Sequence, residues 1–208
     1  MASITRAPTP SGRYGDVEGR LLTATEELLR EGATYTELGI QKVTSAAGVA
    51  RSTFYVYFGD KVELLIRLTQ RLGEESFEFF EDWSPRDEDA FEGLIRAFTS
   101  VTAHYRRKSH LLTAVLEVAA YDREFSTFWQ QRLDPFRANI TTLLQAEQAA
   151  GRTAASFDAA AAAFVMVTSS LQTIAQQIVA GDESTDEQTA RELAVQQWFG
   201  AYRRPENA

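Results

Sequence analysis

The chain has no cysteine, which excludes disulfides and thiolate metal sites. Its two histidines, His104 and His110, lack metal-ligand spacing and any companion motif, so each reads as a lone surface histidine. No stretch reaches the roughly 18 apolar residues of a membrane span, and the longest apolar run, 159–167, is mostly alanine. The opening MASITRAPTPSGRYG carries Arg6 and Arg13 but no apolar run of signal-peptide length. Prolines are few: Pro8 and Pro10 in that tail, Pro85 and Pro135 near expected element boundaries, and Pro205 at the end. No alternating strand pattern and no internal repeat can be found. What remains is the expectation of a soluble, cytoplasmic, all-α protein. Its 208 residues suit one sizeable domain or a small domain joined to a larger one, and 44% hydrophobic residues can form a real core.

A formal net charge of −8 argues at first against a nucleic-acid partner. The distribution alters that. Residues 1–71 hold 9 Lys/Arg against 8 Asp/Glu, whereas residues 72–208 hold 12 against 21. A near-neutral head on an acidic body can still bind DNA if its few basic side chains share one face.

Apolar spacing is helical throughout. Leu21, Leu22, Ala24, Leu28 and Leu29 define a first helix, with Gly32 as its left-handed cap. Ile40, Val43 and Ala47 mark a second helix of about two turns, stopped by Gly48. Phe54 and Phe58, four apart, give a third short helix one greasy side. Asp60-Lys-Val-Glu63 reads as a capping box opening a longer helix with Leu64, Leu65, Leu68 and Leu72 on one face, ending near Trp83. Ser84-Pro85 is expected to start the next helix. Further helices are expected at 89–106, 110–120, 122–150, 156–180 and 185–202. Gly151 and Gly181 close two of them, and Ser184-Thr-Asp-Glu187 reads as a second capping box.

Two short helices around a glycine turn, the second carrying polar and aromatic groups outward, are the parts of a helix-turn-helix. One helix lies across the DNA backbone while the next enters the major groove. With Phe54 and Phe58 turned inward, Arg51, Ser52, Thr53, Tyr55, Val56 and Tyr57 face out. Arg51, Ser52 and Tyr55 are best placed for base edges. Thr53, Tyr57 and Lys61 can bond or neutralise phosphates.

The run VARSTFYVYFGDKVEL, residues 49–64, together with Leu21, Leu22, Ala24, Leu28, Gly32, Tyr35, Ile40, Val43, Ala47 and Gly48, resembles the signature of TetR-family transcriptional regulators. The resemblance covers about residues 18–68. It implies base contacts from Arg51, Ser52, Tyr55 and Val56, and phosphate contacts from Thr53, Tyr57 and Lys61, with Lys42 placed beside them. It also implies a tail over 1–15, a three-helix DNA-binding domain over 16–62 and a helical ligand-binding and dimerisation domain over 63–208. Three positions depart from the pattern: Gly39 and Ala50 stand where hydroxyl caps are usual, and Thr44 where a small alanine is usual. An N-cap hydroxyl is worth about 1 kcal/mol over alanine but only a few tenths over glycine.

The acidic half resembles the ethionamide-resistance-repressor branch of that family in FWQQRLDPFRANITTLLQAEQAAGR and in QQWFGAYRR. That likeness implies a long, aromatic-lined pocket. Its expected walls are Phe98, Tyr105, Phe128, Trp129, Phe136, Phe164, Thr168 and Trp198, although aromatics at helical spacing are commonly core filler. The last two helices suit dimerisation through Val167, Leu171, Ile174, Ile178 and Leu193. The partners expected are a palindromic double-stranded DNA operator, a second copy of the chain and a hydrophobic or amphipathic effector, with no cofactor, metal or membrane. An enzyme is disfavoured by the absence of any catalytic constellation. The run Glu74, Glu75, Glu78, Glu81, Asp82 lacks the Glu-x-x-His pattern of a di-iron bundle and reads as a solvated face. A ligand-binding module that has lost DNA binding is the other alternative, disfavoured by intact Thr53, Tyr55, Tyr57 and Lys61.

Overall fold

The structure is a computed structural model and describes residues 13–206. The tail expected over 1–15 lies outside the described residues as far as residue 12. The elements are α1 (Arg13–Arg30), α2 (Ile40–Ala46), α3 (Arg51–Tyr57), α4 (Lys61–Glu81), α5 (Ala90–Arg107), α6 (Ser109–Ala119), α7 (Arg123–Ala149), α8 (Ala159–Ala180) and α9 (Asp186–Gln197). No strand occurs among the described residues. The chain divides into two compact units, Met1–Leu68 and Thr69–Ala208. The division falls six residues beyond the expected boundary because the first turns of α4 belong to the head, where Leu64 joins the head core.

In the head, α1 buries Leu21, Ala24, Thr25 and Leu29. It stops at Gly32, whose φ of 95° only glycine adopts freely. The Gly32 and Ala33 amides then bond back to the Leu29 and Leu28 carbonyls. Helices α2 and α3 start on Gly39 and Ala50, and neither residue gives a side-chain cap. They are only seven residues each, too short to persist alone. Tertiary packing therefore holds them. Asp60 caps α4 by accepting from the Glu63 amide at 2.9 Å, and Glu63 returns to the Gly59 amide at 2.7 Å, one residue before the usual target of a capping box.

In the body, α5 packs against α8 and α9, and α7 against α6 and α8. Three expectations about element ends are corrected. Ser84-Pro85 forms a separate turn, closed by Asp87 accepting from the Ser84 amide at 2.9 Å, and α5 starts later, at Ala90. Pro135 lies inside the 27-residue α7 rather than at its edge. A proline there costs one helical hydrogen bond, and Arg137 braces that stretch by bonding Asp134 at 3.1 Å and Gln130 at 2.7 Å. Ser184 and Thr185 sit in a 3₁₀ turn capped by Asp182, so the second capping box does not form. Thr185 Oγ1 instead donates to the Asp182 carbonyl at 2.8 Å. Gly181 ends α8 at a place where a Cβ would lie 2.6 Å from the Gln177 carbonyl oxygen. Helix α8 is long and apolar enough to cross a membrane by length and composition alone. Its inner face, including Ala163, Met166, Val167 and Ile174, is buried in the body.

Three separate segments converge on one carboxylate. Glu147, near the end of α7, is wholly buried and receives Arg152 at 2.7 and 2.8 Å, Arg203 at 2.9 Å and Arg86 at 3.1 Å. Arg203 also donates to the Pro85 carbonyl at 2.6 Å. Beyond α9 the chain makes one wide π turn, Trp198–Tyr202, closed by the Arg203 amide on the Trp198 carbonyl at 2.7 Å. That turn delivers Arg203 to the carboxylate. The Arg152 hydrogen bonds, followed by those from Arg86 and Arg203, hold the Glu147 carboxyl down to about 2 against the effect of burial. A carboxylate depressed in the fold stabilises it fully above its ordinary value near 4.5, and the contribution fades as pH falls toward 2. Glu147→Gln is expected to lose about 3 kcal/mol at pH 7, the low end for a broken buried pair, because the arginines keep some access to water. Denaturant unfolding should show the gap between variant and parent closing as pH drops below about 4.5. A gap that stays constant from pH 7 to pH 3 would remove Glu147 from this role.

Candidate functional site

Helix α3 has one buried side. Phe54 and Phe58 are 0% and 1% exposed and pack with Leu21, Leu38, Val43 and Leu64. The opposite face carries Arg51, Ser52, Tyr55 and Val56, all exposed, with Tyr55 at 50% and Val56 at 69%. Arg51 Nη2 and Tyr55 Oη stand 3.5 Å apart along one helical turn. Thr53 and Tyr57 are half-buried at the edges of that face, and Lys42 on α2 is exposed. Gly48 has φ 64°, as the α2–α3 turn requires. The turn is tied to α1 by Arg20, whose guanidinium donates to the Ala47 carbonyl at 3.0 Å and the Gly48 carbonyl at 2.8 Å.

Lys61 has partners within the head itself. It is half-buried, its ammonium donates to the Tyr35 and Thr36 carbonyls at 2.7 and 3.0 Å, and it lies 5.0 Å from the Tyr35 ring centre. Tyr35 Oη in turn donates to the Lys61 carbonyl. The two residues thus clasp the α1–α2 loop to the start of α4. The ammonium bonds backbone oxygens of its own domain, so Lys61 acts as a structural brace within the head.

The body contains an apolar cavity walled by α4 (Ser76, Phe77, Phe80), α5 (Leu94, Phe98, Val101, Tyr105), α7 (Leu133, Phe136, Ile140, Leu143) and α8 (Met166, Val167, Ser170, Leu171, Ile174). Trp83, Asn139, Gln197 and Tyr202 complete it. Its walls stand close: a water-sized sphere traces about 60 Å³, inside some 700 Å³ of non-atom space that includes the mouth. The rings of Phe77 and Phe136 stack at 4.8 Å, and Phe80 meets Phe136 and Phe98 edge-on or tilted at 5.2 and 5.3 Å. Polar groups are few and mostly paired with one another. Ser76 Oγ lies 2.8 Å from Tyr105 Oη, and Gln197 donates to Ser170 Oγ at 2.7 Å. Burial pushes the Tyr105 hydroxyl up to about 12, so it remains neutral.

Of the expected walls, Phe98, Tyr105 and Phe136 line this cavity, and the other five do not. Trp129 is buried beside Gly73, 3.9 Å from where a Cβ on that glycine would sit, and Phe128 is half-buried against Phe125. Phe164 is 53% exposed under the Arg137 guanidinium, and Thr168 is exposed on the same outer face of α8. Trp198 packs against Phe91, Tyr202 and Arg203. The register of α8 explains the exchange. Val167, Leu171 and Ile174, expected at a dimer interface, point into the cavity, while Ile178 and Leu193 are buried within the body. His104, expected at the surface, is also buried, with Glu75 3.7 Å from its Nε2; desolvation lowers its pKa.

Residues 21–68 match the family of bacterial regulatory proteins, tetR family. Residues 94–202 match the C-terminal domain of the transcriptional regulator EthR, a match covering more than half of the chain. The chain belongs to the TetR family. That family is one of transcriptional regulators, not enzymes, and its regulators bind DNA operators as dimers and respond to small molecules. The HTH-type transcriptional regulator EthR of Mycolicibacterium smegmatis is 26% identical over 161 residues, covering 73% of this chain and 72% of that relative. Among solved structures, NalD, the secondary repressor of the MexAB-OprM multidrug efflux pump in Pseudomonas aeruginosa, gives a TM-score of 0.72 at 17% identity, covering 93% of this chain and all (100%) of that one. FadR from Bacillus subtilis, solved with stearoyl-CoA, gives 0.66 at 17% identity, covering 86% and 96%. These two likenesses establish the fold alone.

In this TetR-family chain two functional groups escaped sequence reasoning. Arg20 lies far from the turn it ties, and nothing local marks it. The Ser76–Tyr105 pair is spread over two helices, so no motif contains it. The Lys61 clasp leads to a distinct expectation. Lys61→Met keeps the aliphatic stem but removes the charge-assisted hydrogen bonds, and should destabilise the head by about 1.5 kcal/mol, the lower end for a charged group at a half-buried site. Thermal denaturation followed at the head would register the loss. Unchanged stability combined with weaker DNA binding would place Lys61 at the phosphate interface.

Proposed function

We propose that this TetR-family regulator is a homodimeric repressor of an inverted-repeat operator, released when an apolar or amphipathic small molecule occupies the body cavity. The observation carrying the DNA reading is the outward face of α3. Val56 and Tyr55 are exposed beside Arg51 and Ser52 on a helix held entirely by its other side. A base edge and a thymine methyl suit that mixture of guanidinium, hydroxyl and apolar groups. On this reading Thr53, Tyr57 and the exposed Lys42 take phosphates.

Dimerisation is supported by the outer face of α8 and by the π turn after α9, where Phe164, Val165, Val179 and Phe199 are 53 to 60% exposed. They replace the inward-facing Val167, Leu171, Ile174, Ile178 and Leu193 as candidates for the two-fold contact. Two recognition helices must then sit about 34–36 Å apart to read successive major grooves. The effector reading rests on the aromatic cavity, and a relative in fold, the B. subtilis FadR, is seen with stearoyl-CoA. Helix α4 contributes Leu64 to the head core and Phe77 and Phe80 to the cavity wall, so a ligand that prefers a different α4 position alters the head.

Selection of bound sequences from random DNA tests the proposal. The expected result is enrichment of an inverted repeat; no enrichment at low salt would overturn it. On the selected site, Lys42→Ala should lower the salt slope by about one with little change in preference, whereas Arg51→Ala should relax preference at one position by about 1–3 kcal/mol. Equal losses on matched and mismatched sites would make Arg51 a phosphate contact. Val165→Glu on the outer face of α8 should yield monomers in sedimentation at micromolar concentration. A dimer undiminished by that charge would place the interface elsewhere.

A further inference from the structure

The cavity adjoins a surface cleft between α4 and α7. Phe77, Phe80, Phe136 and Asn139 line both the cavity and the cleft outside it, and the remainder of that cleft is Glu74, Glu78, Glu81 and Pro135. We propose that this mouth selects a single-chain amphiphile with a cationic head, an ammonium above all, and rejects acyl anions. The proposal rests on reading the cavity as the effector site.

Several observations converge on a cation. The three glutamates are exposed and fall at positions i, i+4 and i+7 of α4, so one helical face presents all of them to the opening. Among the described residues no lysine or arginine lines either the cavity or the cleft. The arginines on the facing stretch of α7 are already engaged: Arg132 pairs with Glu74 and donates to the Gln70 carbonyl at 3.2 Å, while Arg137 bonds Asp134 and Gln130 and covers Phe164. Among the described residues Glu78 and Glu81 have no such arginine or lysine partner. The wall shared by cavity and cleft carries the phenyl rings Phe77, Phe80 and Phe136, and aromatic rings attract an alkylammonium. Behind them the cavity offers only neutral polar groups, among them the paired Ser76–Tyr105 and Ser170–Gln197 and the Asn139 amide, so no positive charge inside compensates an anion. An alkyl chain thus fills the aromatic interior and its ammonium rests among the rings and carboxylates. An acyl-CoA, polyanionic at neutral pH, meets repulsion at the same point. Exposed carboxylates act over about one Debye length, so the selection weakens with added salt.

The test uses calorimetric titration of the full-length protein with decyltrimethylammonium, 1-decanol and decanoate, each below its micellar concentration. The expected order is ammonium, then alcohol, then carboxylate, with about a tenfold gap between the ends at low salt that shrinks at high salt. In Glu78→Gln/Glu81→Gln the gap should fall below about threefold, with alcohol binding unchanged, since the neutral probe reports the cavity alone. Decanoate binding as tightly as the ammonium, or a gap unaltered in the double variant, overturns the charge selection while leaving the cavity reading intact. Failure of all three probes to bind a folded, DNA-binding protein overturns the cavity reading itself.

Discussion

Phe54 on α3 and Phe58, the residue that caps its end, lie four residues apart, and both are almost wholly buried. On a helix of seven residues, two buried rings leave no freedom of rotation about the axis. Every outward residue follows from that one constraint. The absence of hydroxyl caps on α2 and α3 matters little beside it, because tertiary packing and not helix propensity maintains such short elements. Gly48 and Arg20 set the angle between the helices, and the Lys61–Tyr35 clasp keeps the loop before α2 against the start of α4. The head presents a recognition surface because its interior admits no alternative.

The body solves a different problem, since it must hold helices apart around a cavity without collapsing onto it. An unfilled apolar space costs stability, because its lining forfeits contacts. The compensation lies at the ends of the helices. Glu147 gathers three arginines from separate segments, and Arg106 anchors the end of α5 to Asp186 of α9 and to the Ile178 and Gln177 carbonyls of α8. These ties are directional and stiff where the cavity wall is apolar and adaptable. On the proposed reading, a ligand displaces the wall, and α4 with it, rather than loosening the bundle.

The head was largely legible in the sequence because its determinants are local. Phe54 and Phe58 at helical spacing, Gly48 at a positive φ and the Asp60–Glu63 cap all lie within twenty residues. The body was legible only as a set of helices. Periodicity identifies a buried stripe but not its neighbour, so Val167, Leu171 and Ile174 read equally well as a dimer face or a cavity wall, and the structure turns them inward. Phe164 and Thr168 illustrate the converse, where residue type suggested a wall and the register of α8 turned them outward. The Lys61 clasp left no sign for another reason: its partners are backbone carbonyls 25 and 26 residues away, and carbonyls leave no trace in composition.

The central claim is that occupancy of the cavity and affinity for DNA are linked. It is tested most directly by filling the cavity covalently. Leu171→Trp introduces bulk at the wall, and overpacking of this kind costs about 1–3 kcal/mol, so folding is first verified by circular dichroism. The quantity to measure is the affinity of the folded variant for the operator selected with the parent protein. The account predicts weakened binding to that operator with the dimer intact. A folded, dimeric variant that binds as tightly as the parent would contradict it.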